Sequence, residues 1–490
     1  MPMGGKKNGN GSGMMPSPGA AETTGRYIVL LPDVEGAQAA HSLDKVAGVK
    51  ARVLNGGPPE AQGGIESGSI VFPAIGAAVV EMDPDQLQAL GVAEQKGELP
   101  TLAVEPERVV RAFPGPDAGV TGLNGGGSAG LDLSGSLAGA PVWPHPAERL
   151  ALEGPPRMGL PMNLAPTQEL SAAYLRGYRD SVVQLVDRLL GDGGVSVERY
   201  APAALRAMDD LEATWGLHAT RVPASQYTGR GIKVAVLDTG FGPHADFANR
   251  NFLTASFVPG QEVTDRNGHG THCIGTACGF RPVTRGPRYG IACEADIIVG
   301  KVLGDDGFGT DGGILAGINW AVAQGANIIS LSLGASVLPG QSFSTVYDGV
   351  AQRALLRGTL MIAAAGNASR RPGDIKPVEH PANCPHILAV AAVDMNLQVA
   401  WFSCGEVNPN GGEVNIAAPG VDVFSSYPLP PHYKRLSGTS MATPHVAGIA
   451  ALFAQATKLR GLPLWTAIVK SVQRLPLPVR DVGQGLVQAP

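Results

Sequence analysis

The stretch IKVAVLDTG, Ile232–Gly240, decides the fold. Val234 to Leu237 is apolar without interruption. A strand with one wet face alternates polar and apolar residues, whereas a strand buried on both faces does not. The run stops on a carboxylate, Asp238, and then on the turn residue Gly240. The same pattern returns in ADIIVGKVLG (295–304), ANIISLSLG (326–334), LMIAAAGN (360–367) and HILAVAAVD (386–394). Helical stretches lie between or after these runs: Gly313–Gln324, Thr345–Arg357 and Thr443–Lys458. Buried strands alternating with helices predict an α/β fold, a mostly parallel sheet with helices on both faces. In such sheets functional groups gather at the carboxyl ends of the strands.

Three polar signals are expected at those ends. Asp238 closes the strand IKVAVLD, His269 sits in the glycine-flanked NGHGTHCIGT (267–276), and Ser440 opens the last long helix in GTSMATPHVAGIAALF (438–453). Taken alone, a serine at a helix start is more often a cap than a nucleophile. Taken together, the three fill complementary roles. A buried carboxylate fixes one imidazole tautomer, the imidazole takes a proton from the hydroxyl, and the hydroxyl becomes nucleophilic. Their chain order, Asp…His…Ser, differs from that of the α/β-hydrolases and of chymotrypsin.

DTGFGPHADF (238–247), NGHGTHCIGT and GTSMATPHVAG resemble the three catalytic motifs of the subtilisin-like serine proteases. AAAGN (363–367) and the ending GQGLVQA (483–489) fit the same family, so the resemblance runs from about Trp215 to Pro490. It implies a serine endopeptidase working through an acyl-enzyme, with Asp238, His269 and Ser440 as triad. It implies that Asn367 and the Ser440 backbone N–H bind the oxyanion. Peptide substrate would lie as an added strand between Gly307-Phe308-Gly309 and Ser332-Leu333-Gly334. Glu379 falls near the floor of the first specificity pocket, where a carboxylate would favour Lys or Arg; otherwise it reads as a solvent-facing glutamate. Cys273 is expected buried beneath His269, as in the proteinase K branch, and His272 and His445 as structural hydrogen-bonders. No cofactor is required for catalysis and no metal ligand is assigned. Asp246 matches one part of the family's calcium site. The rest of that site does not match, because CGFRPVTRGPRYG (278–290) has arginines where carboxylates would be needed.

The front of the chain, Tyr27–Ala112, resembles more weakly the family's inhibitor-type propeptide, a small α+β domain. Tyr27–Pro32, Ser69–Met82 and Leu102–Ala112 read as extended segments, and Gln38–Ala47 and Asp83–Leu90 as helices. Such a domain would act as an intramolecular inhibitor of a zymogen. The expected organisation is a disordered leader (1–25), the propeptide-like domain (26–113), a Gly/Pro-rich linker with a helical insert (114–214) and the catalytic domain (215–490). Within the insert, Leu170, Tyr174, Tyr178, Val182, Leu185 and Leu189 recur at helical spacing over Thr167–Leu190.

The net charge of −5 argues against nucleic acid as partner, and no apolar run approaches the ~18 residues of a membrane span. Lys6 and Lys7 are followed by no apolar core, so the leader does not read as a signal peptide and a cytoplasmic location is expected over a secreted one. Five cysteines without a C-x-x-C pair indicate neither a zinc knuckle nor a disulfide framework. The partners are then protein or peptide substrates. Rival readings are a metal hydrolase using His269 and His272, a peptide-binding module latched by its own front domain, and a ligase that passes the acyl group to an amine.

Overall fold

The computed structural model describes residues 22–32, 35–57, 65, 68–96, 103–113, 212–279, 286–428 and 430–490. Most of the expected leader and linker, and the whole helix expected over 167–190, lie outside these residues.

The N-terminal elements are β1 (Thr23–Leu30), α1 (Gly36–Ala47), β2 (Ala51–Val53), β3 (Ser69–Phe72), β4 (Ala77–Val80), α2 (Pro84–Lys96) and β5 (Ala103–Ala112). Their sheet runs β5-β1-β4-β3-β2. Several boundaries differ from expectation. β1 begins at Thr23, inside the stretch read as leader, Ser69–Met82 is a hairpin rather than one strand, and α2 runs on to Lys96 past the expected Leu90. Pro73 and Gly76 cause the second difference: proline cannot continue the ladder, and Gly76 turns the chain at φ +59°. Side chains alternate across β1. Val29 and Leu31 pack with Leu43 of α1 and Leu90 of α2, whereas Ile28 and Leu30 point to the opposite face.

The second part comprises α3 (Trp215–Ala219), β6 (Lys233–Asp238), β7 (Phe252–Ser256), α4 (His269–Cys278), β8 (Asp296–Lys301), β9 (Phe308–Thr310), α5 (Asp311–Ala323), β10 (Ile328–Leu331) and β11 (Leu333–Gly334). It continues through α6 (Thr345–Leu356), β12 (Leu360–Ala364), β13 (Leu388–Val393), β14 (Ile416–Pro419), β15 (Val423–Ser426), β16 (Tyr433–Leu436), α7 (Thr439–Thr457), α8 (Gly461–Lys470) and α9 (Val479–Val482). The central sheet runs β14-β13-β12-β10-β6-β8-β7 and every pair in it is parallel. Val234 and Val236 pack with Ile274 of α4 and Val446 of α7, while Ala235 and Leu237 pack with Ile314 of α5 and Val350 of α6. The sheet is thus covered on both faces, as its unbroken apolar runs predict.

α7 starts four residues before its expected Thr443, although Pro444 lies within it. A proline inside a helix deprives the carbonyl four residues back of its donor. Here that carbonyl belongs to Ser440, and it accepts instead from the Ser332 hydroxyl at 2.9 Å and the Cys273 thiol at 3.5 Å. The side chains that replace the missing bond also fix the backbone of Ser440.

Candidate active site

Asp238 ends β6 and His269 begins α4, so both stand at the carboxyl edge of the parallel sheet. The His269 Nδ1–H donates to Asp238 Oδ1 at 2.8 Å, and the Thr239 N–H donates to the same oxygen at 2.7 Å. His269 Nε2 has no hydrogen-bond partner among the described residues. Burial opposes a charge on this imidazole, but the Asp238 carboxylate outweighs it and raises the His269 pKa well above its ordinary 6.5. The junction of β6 and α4 is held by Asp265, which sequence reasoning missed. Asp265 Oδ1 accepts from Gly268 N–H at 2.7 Å and Thr239 Oγ1 at 2.9 Å, and Oδ2 accepts from the Thr271 N–H and hydroxyl at 2.9 and 2.6 Å. A signal for it exists, since an Asp just ahead of a helical run is a cap candidate. The buried Lys301 was also missed; its ammonium donates to Thr239 O at 2.7 Å and Asp305 Oδ1 at 2.8 Å.

Ser440 lies in the first turn of α7, behind Gly438 as cap. Its hydroxyl donates to Ser332 O at 3.3 Å rather than to His269. The two residues flank one thiol: Cys273 Sγ is 3.9 Å from His269 Nδ1 and 3.5 Å from Ser440 O. Burial pushes the Cys273 thiol pKa up, so it stays protonated beneath the imidazole. Asn367 Oδ1 accepts from the Thr439 N–H at 2.9 Å and the Thr439 hydroxyl at 2.8 Å. This fixes which end of the amide is the acceptor and turns the NH2 group into the donor at the mouth of α7, where the helix's own first N–H groups point outward.

The two edges expected to hold substrate are β9 and β11, and β5 of the N-terminal sheet runs antiparallel to both. Val110 pairs with Gly309 and Arg111 with Phe308, while Arg111 also pairs with Gly334 and Ala112 with Leu333. The Ala112 N–H donates to Gly307 O at 2.9 Å. Phe113 is buried, and its ring lies against Gly334.

Glu379 departs from the solvent-facing reading: it is 3% exposed. Its carboxyl accepts from the Ser336 hydroxyl at 3.3 Å and lies against Gly366, so it joins the strand end carrying Gly334 to the one carrying Asn367. Burial pushes its pKa up to about 7, which weakens the case for a fixed anion that selects Lys or Arg. His272 donates through Nε2 to Val423 O and Lys434 O, His445 through Nδ1 to Met441 O, and burial lowers them to about 3 and about 4. Both are neutral structural groups. Asp246 Oδ2 accepts from the Tyr289 and Tyr433 hydroxyls at 2.7 and 3.0 Å. Phenol donors around a carboxylate do not make the cluster of oxygen ligands that calcium takes, so these residues do not fit that ion.

A serine hydroxyl, an imidazole and a buried carboxylate thus stand at one rim of a parallel sheet, and comparison with known proteins sets the class. A model of the subtilase family matches residues 229–474. Subtilisin BL of Lederbergia lenta is 41% identical over 245 residues, 49% of this chain and 84% of that protein. Subtilisin Savinase of the same organism is 40% identical with the same coverage. M-protease of Shouchella clausii (strain KSM-K16) is 40% identical over 245 residues, and the match spans 59% of its length. The chain belongs to the subtilase family, and it is a subtilisin-like serine endopeptidase. Subtilisins need no cofactor for catalysis. The cytoplasmic expectation is corrected: the relatives are secreted, extracellular subtilisins. The expectation rested on a missing apolar segment near Met1, and the start of a sequence does not assign a compartment. No helix among the described residues is long and apolar enough to cross a membrane.

Proposed function

We propose that Asp238, His269 and Ser440 cleave peptide bonds as a triad, and that the chain is a self-inhibited zymogen whose N-terminal domain occupies its own cleft. The Ser440 hydroxyl turns about χ1 from Ser332 O to His269 Nε2, gives up its proton there and attacks the substrate carbonyl. Asp238 holds the tautomer and stabilises the imidazolium. The Ser440 N–H and the Asn367 amide receive the oxyanion; removing such a donor costs ~10²–10³ in turnover, a magnitude established in a subtilisin itself. His269 returns the proton to the leaving nitrogen, and water then releases the acyl group. Gly307-Phe308-Gly309 and Ser332-Leu333-Gly334 hold the peptide as an added strand. The observation that carries the reading is the 2.8 Å Asp238–His269 bond beside an unpaired Nε2. The inhibitor role is supported by β5, which fills the place between those same two edges.

The test compares the wild-type chain with Ser440→Ala, following intact mass and hydrolysis of added casein. The expected loss is on the order of 10⁶ in turnover, a figure that comes from a subtilisin. Self-processing or caseinolysis that survives in Ser440→Ala would refute the assignment. Hydrolysis by the wild type should also rise with pH through a pKa above 6.5, because the base must be neutral and Asp238 favours its charged form.

A further inference from the structure

The two most exposed large apolar side chains among the described residues, Leu356 at 83% and Leu462 at 58%, flank one junction. Leu356 ends α6 and Leu462 is the second residue of α8, and the two helices meet closely: a Cβ on Gly461 would stand 2.3 Å from Leu355 O. α8 turns Leu464 and Ile468 into the core. Leu462, Trp465 and Val469, spaced by three and four residues, form a second apolar row along the same helix, exposed at Leu462 and half-buried at the other two. The surrounding stretch, KLRGLPLWTAIVKSVQR (458–474), holds four basic residues and no acidic one, in a chain whose net charge is −5. Arg460 is tied to the end of α7, where it donates to Ala454 O at 3.0 Å. Lys458, Lys470 and Arg474 are exposed and form no ion pair among the described residues. Thr228, whose N–H donates to Gln455 near the end of α7, leads to one acid, Glu294, and that carboxylate is held by Arg230 at 2.7 Å.

We infer that this face docks on an anionic lipid bilayer, with Leu356, Leu462 and Trp465 entering the headgroup layer and Lys458, Lys470 and Arg474 meeting lipid phosphates and carboxylates. A single exposed leucine is ordinary. Apolar residues with a tryptophan, set along one helix among lysines and arginines, are the pattern of a helix lying in a membrane interface. The apolar groups leave water at the headgroup boundary, and the indole suits that level because one edge is apolar and the other donates a hydrogen bond. Cations with no carboxylate beside them are free to pair with anionic lipid, while the negative charge on the rest of the chain keeps other faces off the bilayer. The same charge decides against a second copy as the occupant, since a two-fold contact would set these cations against themselves. The face also lies away from the chemistry. Ser440 is in the first turn of α7 and Lys458 follows its last residue, so at 1.5 Å per residue the two are ~27 Å apart. A molecule held by this face keeps its catalytic rim clear of the lipid.

The experiment mixes the full chain with vesicles of phosphatidylcholine, alone or with about one third phosphatidylserine, and measures the fraction that sediments with them. Binding is expected on the anionic vesicles only, and it should weaken as salt rises. Lys458→Gln, Lys470→Gln and Arg474→Gln together should weaken it about 100-fold, each cation near an anionic surface contributing a factor of about five. Leu356→Ser with Leu462→Ser should weaken it at least about tenfold. All five side chains are exposed, so the variants should keep the wild-type urea midpoint. Trp465 reports the contact directly. Tryptophan emission should move to shorter wavelength on anionic vesicles, and the shift should shrink in Trp465→Phe. Equal binding to both kinds of vesicle, or to neither, overturns the proposal. So does binding that survives all five substitutions, or an emission shift that Trp465→Phe leaves whole, because the contact would then lie elsewhere on the chain. Light scattering covers the remaining occupant: a wild-type dimer that Leu356→Ser with Leu462→Ser converts to monomer would make this face an interface between copies, and the lipid assignment would fall.

Discussion

The two sheets of this molecule bury their faces by different means. The parallel sheet is closed by helices from its own part of the chain, α4 and α7 on one face and α5 and α6 on the other. The N-terminal sheet owns helices for one face only. Its other face, with Ile28, Leu30, Phe72, Val79 and Val110, joins the same core as Ile314 of α5 and Val350 of α6. A sheet needs both faces accounted for, and a domain this small has little core to spare. The N-terminal part thus completes its core with helices that serve the catalytic sheet on their other side. Polar contacts follow the same direction. Arg353 of α6 donates to Ile75 O at 3.1 Å and Gly76 O at 2.6 Å. Asn319 of α5 accepts from Ala74 N–H at 2.8 Å and donates to Leu54 O at 3.0 Å.

The strongest way to break the asymmetry is at Glu107 of β5. Its fully buried carboxylate pairs with the Arg26 guanidinium at 2.7 and 2.8 Å and accepts from Gly312 N–H, in the first turn of α5, at 2.9 Å. Glu107→Ala leaves Arg26 with its charge and the Gly312 N–H without its acceptor, while Thr310 still caps the helix at Gly313 N–H, and losing one partner of a buried pair costs ~3–5 kcal/mol. Hydrogen exchange should accelerate at Ile28–Leu30 and Ala77–Val80 while Val234–Val236 and Ile328–Leu331 stay protected. Equal acceleration in both sheets would mean that they form one cooperative unit, and the contrast drawn between them would be wrong.

What is legible in the sequence divides along the same line. The parallel strands announce themselves because a run buried on both faces is apolar at every position, as in Val234–Leu237. The hairpin Ser69–Val80 reads as one strand because its two halves are equally apolar; only Pro73 and Gly76 mark the turn. At the site, residue types and order point to Asp238, His269 and Ser440. The direction of the Ser440 hydroxyl does not follow, since it depends on Ser332, 108 positions away. Burial of Glu379 is equally hidden. The local string VEHPAN is polar, and the groups that cover the carboxyl, Ser336 and Gly366, come from other strand ends.

Glu379 sharpens the comparison because it lies where the catalytic strand ends meet β5; Arg111 of that strand lowers its pKa, though burial outweighs this. The sign is that of an acid raised on folding. Its contribution to stability is complete below the unfolded value of 4.5 and is lost as pH rises to about 7. A rise of that size makes the loss by pH 8 about 3 kcal/mol. Glu379→Gln should therefore raise the urea midpoint at pH 8 and leave it unchanged at pH 4. Combined with Glu107→Ala, the gain should shrink, because a displaced β5 lets water reach the carboxyl. A gain that is independent of pH would assign the effect to packing instead.

The smallest effect separates the two sheets by sign. Gly349 sits in the middle of α6, and a Cβ there would come within 2.3 Å of Leu30 Cδ2 and 3.0 Å of Cδ1. Leu30 is 3% exposed and hemmed by its own sheet, so it has little room to yield. For α6 itself, alanine in place of glycine is favourable by about 1 kcal/mol, since a helix restricts glycine most. For the docking face, overpacking costs roughly 1–3 kcal/mol. Gly349→Ala should thus slow hydrogen exchange within α6 during local opening and speed it in β1. Adding Leu30→Ala should cancel part of the second effect, with a coupling of roughly 0.5–3 kcal/mol between the two substitutions. If β1 exchanges no faster in Gly349→Ala, the Leu30 contact does not limit how closely the sheet seats. The N-terminal face would then be held by the polar bonds of Arg353, Asn319 and Glu107 rather than by the fit of side chains against the helix.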